Sequence, residues 1–133
     1  MDVWGHHLML DAAGCNESLG DGEAIKAFAR DLVGAIGMVA YGDPIVAHFG
    51  HGDPETCGYT LVQLIETSNI TAHFCDNTGE IYLDVFSCRD FDQATVVEVF
   101  RRHFAPQRIN VSKIGRAAPA LVDERPAARR IIA

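Results

Sequence analysis

Three residue types that support acyl and proton transfer fall close together in this chain: Ser68, His73 and Cys88. A serine hydroxyl beside a peptide carbonyl is a nucleophile once a base takes its proton. An imidazole titrates near neutral pH and can shuttle that proton. A free thiol has an ordinary pKa of about 8.5 and can return a proton to carbon. Thr60 and Thr67 add hydroxyls on the N-terminal side of the same stretch. Taken singly, Ser68 reads as a turn serine, Cys88 as a small buried apolar residue and His73 as a hydrogen-bonded structural histidine. Taken together they define a candidate site, completed near the start of the chain by His7. His6 reads as a surface residue. A second constellation, His48, His51 and Cys57, offers ligands that zinc accepts. Its spacing fits no common finger or ribbon and no second paired motif accompanies it, so no metal is expected.

The elements that must position these groups follow from periodicity and turn chemistry. Residues 3–12 read as a strand, and residues 21–38 as a helix with Asp21 as N-cap and Gly37 as its stop. Ile25, Phe28, Ala29, Leu32, Val33 and Ile36 form its apolar stripe. Residues 39–49 read as a strand interrupted by Gly42-Asp43-Pro44, and residues 50–55 as a loop bordering the mouth of the site. Runs 59–66, 70–75 and 80–87 read as strands, with Ser68 in the break between the first two. Asp76-Asn77-Thr78-Gly79 supplies the turn between the last two. That turn lays the strand of His73 beside the strand leading to Cys88, and the serine, histidine and cysteine are expected to converge at the sheet's end. A helix over 92–104 with Val96, Val97, Phe100 and Phe104 inward ends before Pro106. Residues 108–114 form a last strand. The order β-α-β-β-β-β-α-β predicts an α+β fold, a two-layer sandwich of a mainly antiparallel sheet with two helices on one face. Residues 1–116 form the domain, and the Ala-, Pro- and Arg-rich 117–133 a C-terminal tail.

Bulk properties narrow the class of function. The net charge of −7, from 18 acids against 11 Lys and Arg, argues against nucleic-acid binding. The basic pair Arg101-Arg102 is expected on a solvated face. No apolar run reaches the roughly 20 residues that span a bilayer, and the N-terminal residues show no secretory pattern. No membrane partner, a cytoplasmic location and reduced thiols at Cys15, Cys57, Cys75 and Cys88 are therefore expected.

Longer stretches of text carry a resemblance. Thr67-Ser68-Asn69-Ile70-Thr71-Ala72-His73, Asp84-Val85-Phe86-Ser87-Cys88 and Gly5-His6-His7-Leu8 resemble the self-cleavage, proton-donor and N-terminal motifs of the prokaryotic S-adenosylmethionine decarboxylase family. Thr60 falls where that family usually has a processing serine. The resemblance spans roughly residues 4–115 and is specific only over Ser68–Cys88. It implies a self-processing proenzyme. Ser68 attacks the carbonyl of Thr67, Thr60 and His73 assist, and the chain divides into residues 1–67 and 68–133 with a pyruvoyl group derived from Ser68. That ketone, the cofactor, condenses with the α-amine of S-adenosylmethionine and acts as electron sink while CO2 leaves. Cys88 reprotonates the carbon. The implied role is in polyamine (spermidine) biosynthesis, with a homodimer whose active site draws residues from both protomers.

The chain departs from the family's usual text in four places. Thr67 replaces a glutamate, Asn69 a histidine and Asn77 a ribose-holding glutamate, with Asp76 adjacent, and the 50–57 loop is rebuilt. His7, Phe49, Asp76 and Asn77 are accordingly the expected substrate contacts, with Phe49 or Tyr59 as the adenine-stacking ring. The same departures raise two alternatives: a decarboxylase of arginine or ornithine, and a non-processing homologue acting as a binding or regulatory module.

Overall fold

The computed structural model describes residues 3–119. Strand β1 (Gly5–Ala13) leads through a 3-10 turn (Glu17–Gly20) into helix α1 (Gly22–Ala35). Strands β2 (Ala40–Phe49), β3 (Gly58–Ile65), β4 (Ser68–Cys75) and β5 (Glu80–Ser87) follow as successive hairpins. Helix α2 (Gln93–Phe104) and strand β6 (Arg108–Arg116) complete the chain. All six strands join one antiparallel sheet in the order β2-β3-β4-β5-β1-β6. The expected α+β two-layer sandwich is what forms. Of the tail assigned to 117–133, the part from residue 120 lies outside the described residues.

Alternation sets the two faces of the sheet. In β4 and β5, Ile70, Ala72, Phe74, Ile81, Leu83 and Val85 are buried, and the residues between them are open to varying degrees. Both helices lie on the buried face. Asp21 caps α1 by accepting from the backbone N–H groups of Glu23 and Ala24. Helix α1 ends at Ala35, three residues short of the expected 38. Gly37 takes φ +71° and turns the chain, so the apolar Ile36 and Met38 pack on the core from outside the helix. In α2 the buried set is Val96, Val99, Phe100 and Phe104. Val97 is only partly buried, because the core-facing stripe advances by three and four residues from Val96 and passes over position 97.

An aromatic cluster ties the two layers together. Phe28, Phe100 and Phe104 meet edge-on or tilted at 5.0–5.9 Å between centroids, and Phe74 of the sheet joins Phe104 at 5.6 Å. Phe100 is fully buried at this junction. Phe100→Ala is expected to cost about 3–5 kcal/mol, read as a lowered urea midpoint with an unchanged slope.

The opposite face of the sheet has no covering layer among the described residues. Tyr41, Ile45, Leu64, Tyr82 and Ile114 stand exposed on it or at its edges. Gly42-Asp43-Pro44 interrupts β2 as expected, shifting its register between Tyr41 and Ile45. Gly58 is a required glycine, since a Cβ there would sit 1.6 Å from the Phe74 carbonyl oxygen.

Candidate active site

Ser68 does not lie in a break between strands. It is the first residue of β4, paired with Ile65 on one side and Ser87 on the other, across a turn made by Glu66 and Thr67 alone. The strand extends two residues beyond the expected 70 because the ladder with β3 and β5 continues to the turn itself. Ser68 carries φ +156°, at the margin of what an L residue tolerates, a strain of order 1–3 kcal/mol. Its hydroxyl accepts from Asn69 Nδ2 at 3.1 Å.

The peptide carbonyl preceding Ser68 is held from the other side. The backbone N–H of Cys88 donates to the Thr67 carbonyl oxygen at 3.0 Å. Buried Ser87 donates its hydroxyl to Thr67 Oγ1 at 2.7 Å and accepts from the N–H of Arg89 at 3.0 Å. Thr67 Oγ1 in turn donates to Met38 Sδ at 3.3 Å. The turn is thus pinned to the end of β5, with Cys88 exposed beside it. Ser87 and Met38 were not among the expected site residues, and nothing in local sequence marks Met38 as the packing partner of a residue 29 positions away.

His7 stands in the same region of the sheet. It pairs with Phe86, which also pairs with Asn69, and its Nε2 meets Asp84 Oδ1 at 2.9 Å. His6 is half-buried with Nδ1 3.4 Å from Asp90, so it is not the free surface residue expected. Its even position along β1 turns it toward the covered face.

His73 lies elsewhere, and the expected convergence fails within one chain. Five residues of extended strand separate it from Ser68, roughly 17 Å at the usual rise. The odd spacing also reverses its face. His73 projects from the open side with Thr60, its partner across the β3–β4 ladder. Thr60 Oγ1 and His73 Nδ1 are 3.2 Å apart, and His73 Nε2 is 2.9 Å from the Thr56 carbonyl. A carbonyl only accepts, so Nε2 carries the proton; a neutral ring then has Nδ1 free to accept from the Thr60 hydroxyl. A cleft of about 480 Å³ lined by Glu55, Thr56, His73, Cys75, Thr78, Glu80 and Tyr82 adjoins this pair.

The remaining expected contacts gather at this same end. Phe49 is exposed at the tip of β2 beside Gly58. Tyr59 instead packs partly against the core. Asn77 donates to the Pro54 carbonyl at 3.1 Å, and Asp76 Oδ2 meets His48 Nε2 at 2.6 Å. Two half-sites therefore occupy opposite ends of one sheet. Thr67, Ser68, Cys88 and His7 form the first; Phe49, Thr60, His73, Asp76 and Asn77 form the second.

The β2–β3 loop also brings His48, His51 and Cys57 together, with their ligand atoms all within 4.8 Å of one another. Desolvation, followed by the Asp76 carboxylate, pushes the Cys57 thiol up. Burial pushes Cys15 up to about 11, which suits a packing role. All four cysteines are free, and no helix among the described residues is long and apolar enough to cross a membrane.

A six-stranded antiparallel sheet backed by two helices, with a serine-led strand at its end, defines the class, and comparison with known proteins supplies the family. The sequence model of the S-adenosylmethionine decarboxylase family matches residues 6–117. The S-adenosylmethionine decarboxylase proenzymes of Pyrococcus horikoshii and Pyrococcus abyssi are each 28% identical over 118 residues, covering 87% of this chain and 81% of theirs. The crystal structure of the adenosylmethionine decarboxylase from Aquifex aeolicus superimposes with a TM-score of 0.74 at 22% identity, over 95% of this chain and 98% of that one, which establishes the shared fold. The chain belongs to the S-adenosylmethionine decarboxylase family, a family of carboxy-lyases. These relatives carry the name of the S-adenosylmethionine enzyme, which favours the main reading over the arginine, ornithine and binding-module alternatives.

Proposed function

We propose that this chain is a self-cleaving proenzyme that becomes a pyruvoyl-dependent S-adenosylmethionine decarboxylase and supplies decarboxylated substrate for polyamine synthesis. One observation carries the reading. A strained serine leads β4, and the carbonyl it must attack is held by the Cys88 N–H at 3.0 Å.

Those features suit self-cleavage. Ser68 Oγ adds to the Thr67 carbonyl carbon, and the Cys88 N–H stabilises the oxygen that gains charge. The C–N bond breaks, leaving an ester on Ser68 and a free amine at its nitrogen. Loss of the Ser68 α-proton expels the Thr67 carboxylate and leaves a dehydroalanine at the new terminus. Its hydrolysis releases ammonia and leaves the ketone. Asn69 Nδ2 fixes the Ser68 hydroxyl and does not take its proton, since an amide N–H only donates. The base must come from elsewhere, and Thr60 with His73 is the pair suited to the task.

A pyruvoyl group fits the surroundings of Ser68: the residue is half-buried, at a strand terminus, with the exposed Cys88 thiol beside it and the His7–Asp84 pair further along the same end. When present, that group supplies the electron sink for decarboxylation. Cys88 then delivers a proton to the substrate's α-carbon. His7, held by Asp84, is our candidate substrate contact at the same end of the sheet, and Phe49, Asp76 and Asn77 are our candidates for the nucleoside end. The arrangement calls for a homodimer, because the base pair and the nucleophile of one chain cannot meet. The exposed apolar residues on the open face suit association with a second copy. A soluble, cytoplasmic protein that binds neither nucleic acid nor membrane accords with the acidic charge.

Cys88→Ala separates the two chemistries. It keeps the backbone N–H, so self-cleavage should persist. CO2 release from carboxyl-labelled S-adenosylmethionine should fall at least about 100-fold through loss of the general acid. Arginine and ornithine, assayed beside it with the wild-type enzyme, should release no CO2. Release from either at a rate matching S-adenosylmethionine would overturn the substrate assignment.

A further inference from the structure

We propose that His48, His51 and Cys57, with Asp76 behind His48, form a binding site for a divalent transition metal of the zinc class on the β2–β3 loop. The site would be separate from the serine-led end of the sheet, and it departs from the expectation that no metal is bound.

The donor atoms are of the right kind. Two imidazoles and a thiol are ligands that zinc and cobalt accept and that magnesium and calcium do not favour. Their placement is also right. His48 Nδ1 and His51 Nε2 are 3.5 Å apart, close to the roughly 3.3 Å between two nitrogens on one tetrahedral zinc. Cys57 Sγ lies 3.9 Å from His48 Nε2 and 3.9 Å from Asp76 Oδ2, within the same 4.8 Å cluster, so a small turn of the thiol or of the His48 ring is needed to bring all three donors onto one ion. His51 is exposed on the loop, so its ring can turn to complete the geometry. Three protein ligands leave the fourth position to water.

The surroundings of His48 point the same way. Its Nε2 lies 2.6 Å from Asp76 Oδ2, so it donates there and Nδ1 is left with its lone pair facing His51. A carboxylate behind a histidine, fixing tautomer and ring orientation, is the usual outer partner of a metal-bound imidazole. Asp76 Oδ1 is buried and has no hydrogen-bond partner. A bare carboxylate oxygen in that position is relieved by a cation close by. The backbone brings the ligands together independently of their side chains. Gly50 takes φ +74°, and a Cβ there would come within 3.2 Å of the Cys57 Cα. The Gly50 and Asp53 carbonyls accept from the N–H groups of Asp53 and Cys57 respectively. Thr56, next to Cys57, holds His73 through its carbonyl, so a metal here would also fasten the loop that orients His73.

Cobalt(II) titration of the chelator-treated full-length chain tests the site. The expected result is one cobalt per chain, a thiolate-to-cobalt charge-transfer band, tetrahedral d–d absorption and displacement by zinc. Cys57→Ser should lose the charge-transfer band. His51→Ala, at an exposed position where folding does not depend on the side chain, should bind cobalt at least about tenfold more weakly, while Asp76→Asn should keep the band and weaken binding roughly 10–100-fold. Far-ultraviolet circular dichroism would confirm that each variant is folded. Absence of the band in the wild-type chain at millimolar cobalt, its survival in Cys57→Ser, or unchanged affinity in His51→Ala would overturn the proposal.

Discussion

Ser68→Ala is expected to remain a single full-length species in denaturing mass analysis, while the wild-type chain divides into residues 1–67 and 68–133. The loss should be complete, because the only nucleophile positioned by covalent geometry against the Thr67 carbonyl is the neighbouring hydroxyl. The five-membered ring that its attack forms makes the step intramolecular, which removes much of the barrier that water would face. The alanine variant keeps the Cys88 N–H on the carbonyl and the Ser87–Thr67 contact, so its fold should be intact. It should lose decarboxylation as fully as cleavage, since no ketone forms. The second wild-type fragment should carry a blocked terminus that reacts with a carbonyl reagent. A wild-type chain that stays whole after prolonged incubation would leave kinship of fold and nothing more. Cleavage itself should not release either half: β4 remains laddered to β3 from Ser68 to His73 and to β5 along its whole length.

The route from sequence to this site was open in some places and closed in others. Turn chemistry marks Asp76–Gly79, where Gly79 takes φ +74°, and alternation marks both flanking strands, so the β4–β5 hairpin is legible in the sequence except for the first two residues of β4, Ser68 and Asn69. Asp21 was legible as a cap because its side chain competes for the first amides of a helix. Three consecutive β-branched residues, Thr95, Val96 and Val97, give no local signal of which one faces inward, so the marginal place of Val97 at the rim of the core is not legible. The separation of His73 from Ser68 is written in the sequence as a spacing. Five is an odd number, and two residues of one strand at odd spacing cannot share a face. The contacts of Thr67 with Met38 and Ser87 were not legible, since they depend on where α1 ends and how the next segment passes behind the sheet. The loop cluster is legible as a set of ligand types, but only the fold shows that Gly50 turns His48 and His51 against Cys57 and that Asp76, from another hairpin, stands behind them.

The division of the site between two ends of the sheet leads to the second large effect. His73→Ala and Ser68→Ala homodimers should both fail to cut, the first slowed by at least about 100-fold through loss of the general base, the second absolutely. Co-expressed, the two variants should restore cleavage. A dimer of one each contains one site in which Ser68 from the His73→Ala chain meets His73 from the Ser68→Ala chain, and that site is complete. Random pairing puts about half of the dimers in this mixed form, so about half of the His73→Ala chains, and none of the Ser68→Ala chains, should divide. Mass analysis distinguishes the two chains by the substitutions themselves. The outcome separates a partner-supplied base from a same-chain base. A base acting within its own chain would leave every chain uncut, because no single chain in the mixture carries both groups. The geometry favours restoration: roughly 17 Å of strand and a change of face lie between the two groups in one protomer.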